Sequence, residues 1–174
     1  AGAEATIPGG REVMKDIVDT YYGSEAAAGC TSYADYREML EKEKDVAAVK
    51  IMTPDHLHGV ACLSAMKHGK HIMLHKPIAN RLMEGKAVID GAKKTGVATH
   101  FLPWNSGNGM PQVKEWIDGD AIGKLKEIHN WTNRPVWPQY TTMPAERPPV
   151  PRGFDWDLWL GPEAERPYSP DYTH

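Results

Sequence analysis

Lys76 stands between an apolar run and a proline, in the segment His71-Ile72-Met73-Leu74-His75-Lys76-Pro77. A proline biases the residue before it toward extended backbone, so the Lys76 side chain is aimed rather than wound into a helix. A lysine in a partly desolvated cleft has its pKa drawn toward neutrality and can exchange a proton with a substrate. The competing reading is a solvated lysine at the start of a loop. A second polar group, Thr53-Pro54-Asp55-His56-Leu57-His58, ends another apolar run. Its H-x-H pair can contact a cofactor or ligate a metal; alternatively His56 opens a helix while His58 caps backbone or faces solvent. Together with His75 and His100 the pair raises a metal-dependent hydrolase, because neutral imidazole is a common metal ligand. No cysteine or carboxylate falls into ligand spacing with these histidines, so the site is read without a metal. A third group, Pro103-Trp104-Asn105-Ser106, follows a further apolar stretch.

These groups need elements to hold them. Val46 to Met52 is short and apolar apart from Lys50, the pattern of a strand covered on both faces. His71 to Leu74 and Val97 to Leu102 read as two more strands. His56 to His68 reads as a helix closed by Gly69, and Leu82 to Thr95 as one closed by Gly96. Upstream, Arg11 to Tyr22 suits a helix with Met14, Ile17, Val18 and Tyr21 on one side. Asp35 and Glu38 have capping-box spacing and open a helix through Glu43, with Tyr36, Met39 and Leu40 as its apolar side. Strands separated by helices of this length require a parallel sheet with right-handed crossovers. Ligands of open parallel sheets lie across the carboxyl ends of the strands, which is where all three polar groups fall.

Past Trp104 the composition changes. All six tryptophans lie at or after that residue, and nine of the fourteen prolines fall between Pro135 and Pro170. Pro111 opens a helix to Asp118 with Val113, Trp116 and Ile117 inward. Gly119 and Gly123 bracket a turn, Lys124 to Thr132 reads as extended, and the remainder is a Pro- and Trp-rich excursion. The chain thus divides near Trp104 into a doubly wound domain and the opening of a different one. Over 174 residues, 41% hydrophobic and 25% charged, a net charge of -3 gives no general attraction to nucleic acid or to anionic membranes. No apolar run reaches membrane-spanning length, and no signal peptide is visible at Ala1. Cys30 and Cys62 make no disulfide framework, which leaves an exported and a cytoplasmic location equally open.

Taken in order, Ala47 to Thr53-Pro54-Asp55 and His58, then Gly69-Lys70-His71 and His75-Lys76-Pro77, resemble the Gfo/Idh/MocA family of glucose-fructose and inositol oxidoreductases. The similarity continues through Trp116-Ile117, Ala121-Ile122-Gly123, Trp131-Thr132-Asn133-Arg134-Pro135, Trp137-Pro138-Gln139 and the segment from Asp155 to Pro162. That tail looks like a bacterial branch whose members are often exported.

The resemblance implies the C-terminal part of a Rossmann-type parallel-sheet domain over residues 1–104, followed over 105–174 by the start of an α/β open-sheet domain for substrate and oligomerisation. It implies NAD or NADP, a carbohydrate substrate, and a homo-oligomer in the full-length protein. Hydride would pass between the nicotinamide and a hydroxyl carbon of a sugar, cyclitol or glycoside, or a retained NAD would serve glycoside cleavage by transient oxidation. Lys76 matches the family's catalytic lysine. Thr53, Pro54, His56 and His58, with His75, Trp104 and Asn105, match the cofactor side; Thr132 and Arg134 match the substrate side, sharing one strand face with Asn130. The other possibility for Arg134 is an ion pair with Asp155 or Asp157. The sequence departs from the family where His75 replaces the usual glutamate before Lys76, and where Trp104 and Asn105 stand near a common arginine. It also has no G-x-G-x-x-G turn and no downstream D-x-x-x-H segment, so it resembles the middle of such a protein and is expected to be inactive alone. Trp131, Trp137, Trp156 and Trp159 are read as core or interface, or else as platforms for sugar rings.

Overall fold

The computed structural model of the chain describes residues 10–23, 31–103, 110–129, 131 and 142–173. Three strands, β1 (Ala48–Ile51), β2 (His71–His75) and β3 (Thr99–Leu102), pair in parallel in that spatial order. Ile51 stands opposite Leu74, and Leu74 opposite Phe101. The crossovers are helical. A 3-10 turn (Asp55–Leu57) leads into one helix (His58–Lys67) between β1 and β2, and a second helix (Leu82–Thr95) joins β2 to β3. Two further helices precede the sheet. In chain order these four are α1 (Gly10–Tyr22), α2 (Tyr36–Lys42), α3 (His58–Lys67) and α4 (Leu82–Thr95), and α5 (Met110–Asp118) and α6 (Trp156–Leu160) follow.

Side chains alternate along a strand, and β2 uses that period: Ile72 and Leu74 are buried while His71 and Met73 are exposed. Ile72 and Leu74 join Ile51, Leu40 of α2, Ala61, Cys62, Ala65 and Met66 of α3, and Val88 of α4 in one apolar cluster. Each large aliphatic chain so buried contributes about 1.5–3 kcal/mol relative to exposure. Cys62 lies at its centre, and burial pushes its thiol up to about 12, which makes it a small inert hydrophobe. Because α2, α3 and α4 all pack on this face, the expected cover on both faces of β1 is not met among the described residues. Lys50 is exposed, as are Met52 and Met73.

Helix ends follow local chemistry. Gly96 adopts φ +70, a left-handed cap that returns its N–H to Ala92 and ends α4 where the sequence places the stop. Asp35 caps α2 by accepting from the Arg37 N–H at 2.8 Å, but Glu38 pairs with Lys42 instead of reaching back, so the capping box is only half made. Lys70 completes the other end of α2. It is buried, and its ammonium donates to the carbonyls of Glu43 and Lys44 at 2.9 Å each. This satisfies carbonyls that the helix leaves open and ties the approach of β1 to the start of β2.

Two outer elements differ from expectation. The apolar sides of α1 and α5 are not buried among the described residues: Met14, Ile17 and Tyr21 are exposed, and so are Val113, Trp116 and Ile117. Residues 124–129 enter no ladder, because no described strand lies beside them to supply partners.

Candidate active site at the carboxyl edge of the sheet

Parallel pairing brings the ends of β1, β2 and β3 to one edge, which carries Thr53-Pro54, Lys76-Pro77 and Pro103. Lys76 is half-buried. Its backbone N–H donates to Leu102 O at 3.2 Å, and the peptide bond to Pro77 is cis. Thr53 and Pro54 are exposed on the same edge, and His75 is half-buried beside Lys76. The edge therefore presents a lysine whose backbone is held by the sheet and, at the end of the neighbouring strand, an exposed threonine, residue types able to bind a polar ligand and pass a proton.

The two histidines of the H-x-H pair are used differently. His58 is the first residue of α3 and is fully enclosed, with no exposed surface. Its Nε2 lies 2.9 Å from Thr53 O and its Nδ1 lies 2.5 Å from Pro77 O. His56 turns its Nε2 to Trp159 O at 2.6 Å, with the two rings 4.8 Å apart. Both imidazoles face backbone carbonyls, and among the described residues no three His, Cys, Asp or Glu side chains converge as a metal site would require.

His56 thereby anchors a strap, residues 153–173, against the edge. Leu160 is buried, Gly161 passes so close to Leu57 that an added Cβ would stand 2.3 Å from Leu57 Cδ2, and Arg81 reaches Glu163 at 2.6 Å. Arg81 also holds Glu84 at 3.0 Å; Glu84 first and then Glu163 raise the Arg81 pKa. These are exposed pairs of small energetic weight, so Leu160 and the aromatic packing do more to seat the strap. Trp156 stacks on Trp159 at 4.9 Å and donates its indole N–H to Arg166 O at 2.8 Å. Those two tryptophans are half-buried and pack on each other within the strap. Between α2, the end of β1 and the strap lies a cavity of about 500 Å³ lined by Tyr36, Met39, Thr53, Leu57, Phe154 and Trp159. Its walls are largely aromatic and aliphatic, and its polar groups include Thr31, Thr53 and Asp155.

Trp104, Asn105, Thr132 and Arg134 lie outside the described residues, as do Asn130 and Trp137. The strand face that pairs Thr132 with Arg134 falls there too, while Trp131 is 83% exposed. Sequence reasoning missed Arg81, whose partner Glu163 is remote in the chain. It also missed Lys70, whose signal was a lysine at the mouth of an apolar strand.

Parallel strands joined by helical crossovers, with polar groups on the carboxyl edge, place the described residues in the α/β class whose ligands bind at that edge. Residues 13–101, just over half of the chain, match the family described as "Oxidoreductase family, NAD-binding Rossmann fold", and the chain belongs to this Gfo/Idh/MocA family. It is similar to levoglucosan dehydrogenase of Pseudarthrobacter phenanthrenivorans, 30% identical over 114 residues that make up 62% of this chain and 29% of the relative. It is also similar to scyllo-inositol 2-dehydrogenase (NAD(+)) of Bacillus subtilis, 40% identical over 96 residues, 52% of this chain and 26% of the relative. Among solved structures, the WlbA dehydrogenase from Bordetella pertussis in complex with NADH and UDP-GlcNAcA is 27% identical with a TM-score of 0.50, covering 59% of this chain and 30% of that one. The chain spans less than a third of the length of each.

Proposed function

We propose that this chain is part of an NAD- or NADP-dependent oxidoreductase acting on a hydroxyl carbon of a sugar, cyclitol or glycoside, with Lys76 as its acid/base. The observation that carries this reading is the placement of Lys76. It is half-buried at the carboxyl end of the central strand, held by the backbone of β3, with the Thr53-Pro54 turn exposed on the same edge. Two of the relatives are named for levoglucosan and scyllo-inositol, both polyhydroxylated rings, which supports a substrate of that chemistry.

Thr53 and Pro54 would hold the cofactor from the β1 side, with His75, Trp104 and Asn105 completing the wall. His56 and His58 act from behind that wall, because their ring nitrogens already face backbone carbonyls. Bound there, the nicotinamide supplies a hydride acceptor or donor. Lys76 takes the proton of the substrate hydroxyl as its carbon loses hydride, leaving a carbonyl, and returns that proton in the reverse direction. Thr132 and Arg134 would meet the substrate from the second domain, where an arginine fork can hold two adjacent sugar oxygens.

The test is oxidation of a panel of sugars, cyclitols and glycosides by the full-length protein with NAD and with NADP, followed by the appearance of reduced nicotinamide. Reduction dependent on a polyhydroxylated substrate is expected. Failure with every member of the panel, in protein shown to bind the nucleotide, would contradict the reading.

A further inference from the structure

We propose that His58 is a positioning residue with two separable arms, one setting the Lys76 segment and the other setting the Thr53-Pro54 turn. The inference rests on the proposed acid/base role of Lys76. A polar ring buried this completely is costly unless its nitrogens are bonded. Those of His58 face two carbonyls from two different strand ends, Pro77 O at 2.5 Å through Nδ1 and Thr53 O at 2.9 Å through Nε2. Both carbonyls lie just past the sheet ladder, where strand pairing no longer supplies donors. Each contact is a hydrogen bond when its nitrogen carries the hydrogen, and the closeness of both carbonyls holds the ring between the two strand ends.

The Nδ1 arm acts on Lys76 through its neighbour. The Lys76 N–H is tied to Leu102 O, and the carbonyl of the next residue is tied to His58. The lysine backbone is therefore fixed on both sides, which fixes the direction in which its side chain leaves the edge. The Nε2 arm does the same for the carbonyl of Thr53, on the side proposed to hold the nucleotide. Misplacing a proton-transfer group by a small distance lowers turnover more than binding, whereas shifting a binding turn does the reverse.

The arms can be cut one at a time in the full-length enzyme. An asparagine amide at this position reaches where Nδ1 stands, and a glutamine amide reaches where Nε2 stands. His58→Asn should keep kcat within about threefold of the parent and raise the nicotinamide KM, while His58→Gln should keep that KM and lower kcat about tenfold or more. Amine-reactive labelling of Lys76, mapped by mass spectrometry without nucleotide, should change several-fold in His58→Gln and not in His58→Asn. Variants that shift kcat and KM together, or that leave Lys76 labelling alike, would overturn the proposal. If the parent shows no dehydrogenase activity, the functional reading fails by itself and the labelling comparison still decides the arms. Should neither variant fold, nitrogen NMR of the histidine-labelled parent replaces them. A His58 ring N–H hydrogen-bonded to a carbonyl and protected from exchange is expected, and a ring nitrogen open to solvent would overturn the assignment.

Discussion

Lys76 donates its backbone N–H to Leu102 O across 3.2 Å, one residue beyond the last pair of the β2–β3 ladder, His75 with Leu102. The lysine thus extends the sheet by one residue before Pro77 leads the chain away. A group held on a strand end keeps its orientation better than one carried on a free loop, and this is what a proton-transfer residue requires. The strap supports the same edge from outside through His56 and Gly161.

Lys70 should prove one of the larger single contributors to stability. Lys70→Met keeps the apolar stem but leaves the carbonyls of Glu43 and Lys44 without their charged donor. A loss of about 2–3 kcal/mol is expected in urea unfolding. A change under about 0.5 kcal/mol would show that the ammonium is dispensable there.

Asp35 gives the fold a defined acid sensitivity. The Arg37 guanidinium, followed by the Arg37 backbone N–H, holds the Asp35 carboxyl below its usual value. A carboxyl with a lower pKa folded than unfolded stabilises above its unfolded value, and that contribution is lost as pH falls through the lowered native one. Asp35→Asn keeps a competent cap but removes the charge, and the side chain is partly exposed, so the effect at neutral pH should be at most about 1 kcal/mol. Unfolding curves of parent and variant should differ at neutral pH and converge below about pH 4. A gap that persists or grows in acid would be inconsistent with this pairing.

Gly161 should be intolerant of a side chain. Its φ of +55 disfavours other residues, and Leu57 occupies the place of a Cβ. Gly161→Ala should cost about 1–3 kcal/mol and raise the rate of limited proteolysis within residues 153–173. Unchanged cleavage would mean the strap is not seated through this contact.

Much of the scaffold was legible in the sequence, for local reasons. Gly69 and Gly96 stop their helices where expected, and short apolar runs before polar clusters became the three parallel strands. What lies on each face of an element was not legible. An apolar run such as Val46 to Met52 shows that a strand can be buried, not which helices cover it, and the described helices cover one side only. The same holds for Trp116, whose helical spacing reads as core but which is exposed among the described residues. At the site, the position of Lys76 at a strand end was legible because a lysine between an apolar strand and a proline is a local signal. The enclosure of His58 was not, since it depends on Pro77 arriving from the next strand. The strap contact of Arg81 with Glu163 depends on closure over a long stretch of chain that no local pattern reports.

The most direct test of the account replaces Lys76 by methionine in the full-length protein and measures hydride transfer and nicotinamide binding on the same preparation. Lys76→Met removes the proton-transfer group while keeping the length of the side chain. Loss of kcat by about a hundredfold or more is expected, with the nicotinamide dissociation constant within about threefold of the parent. Turnover within a few-fold of the parent would remove Lys76 from the acid/base role.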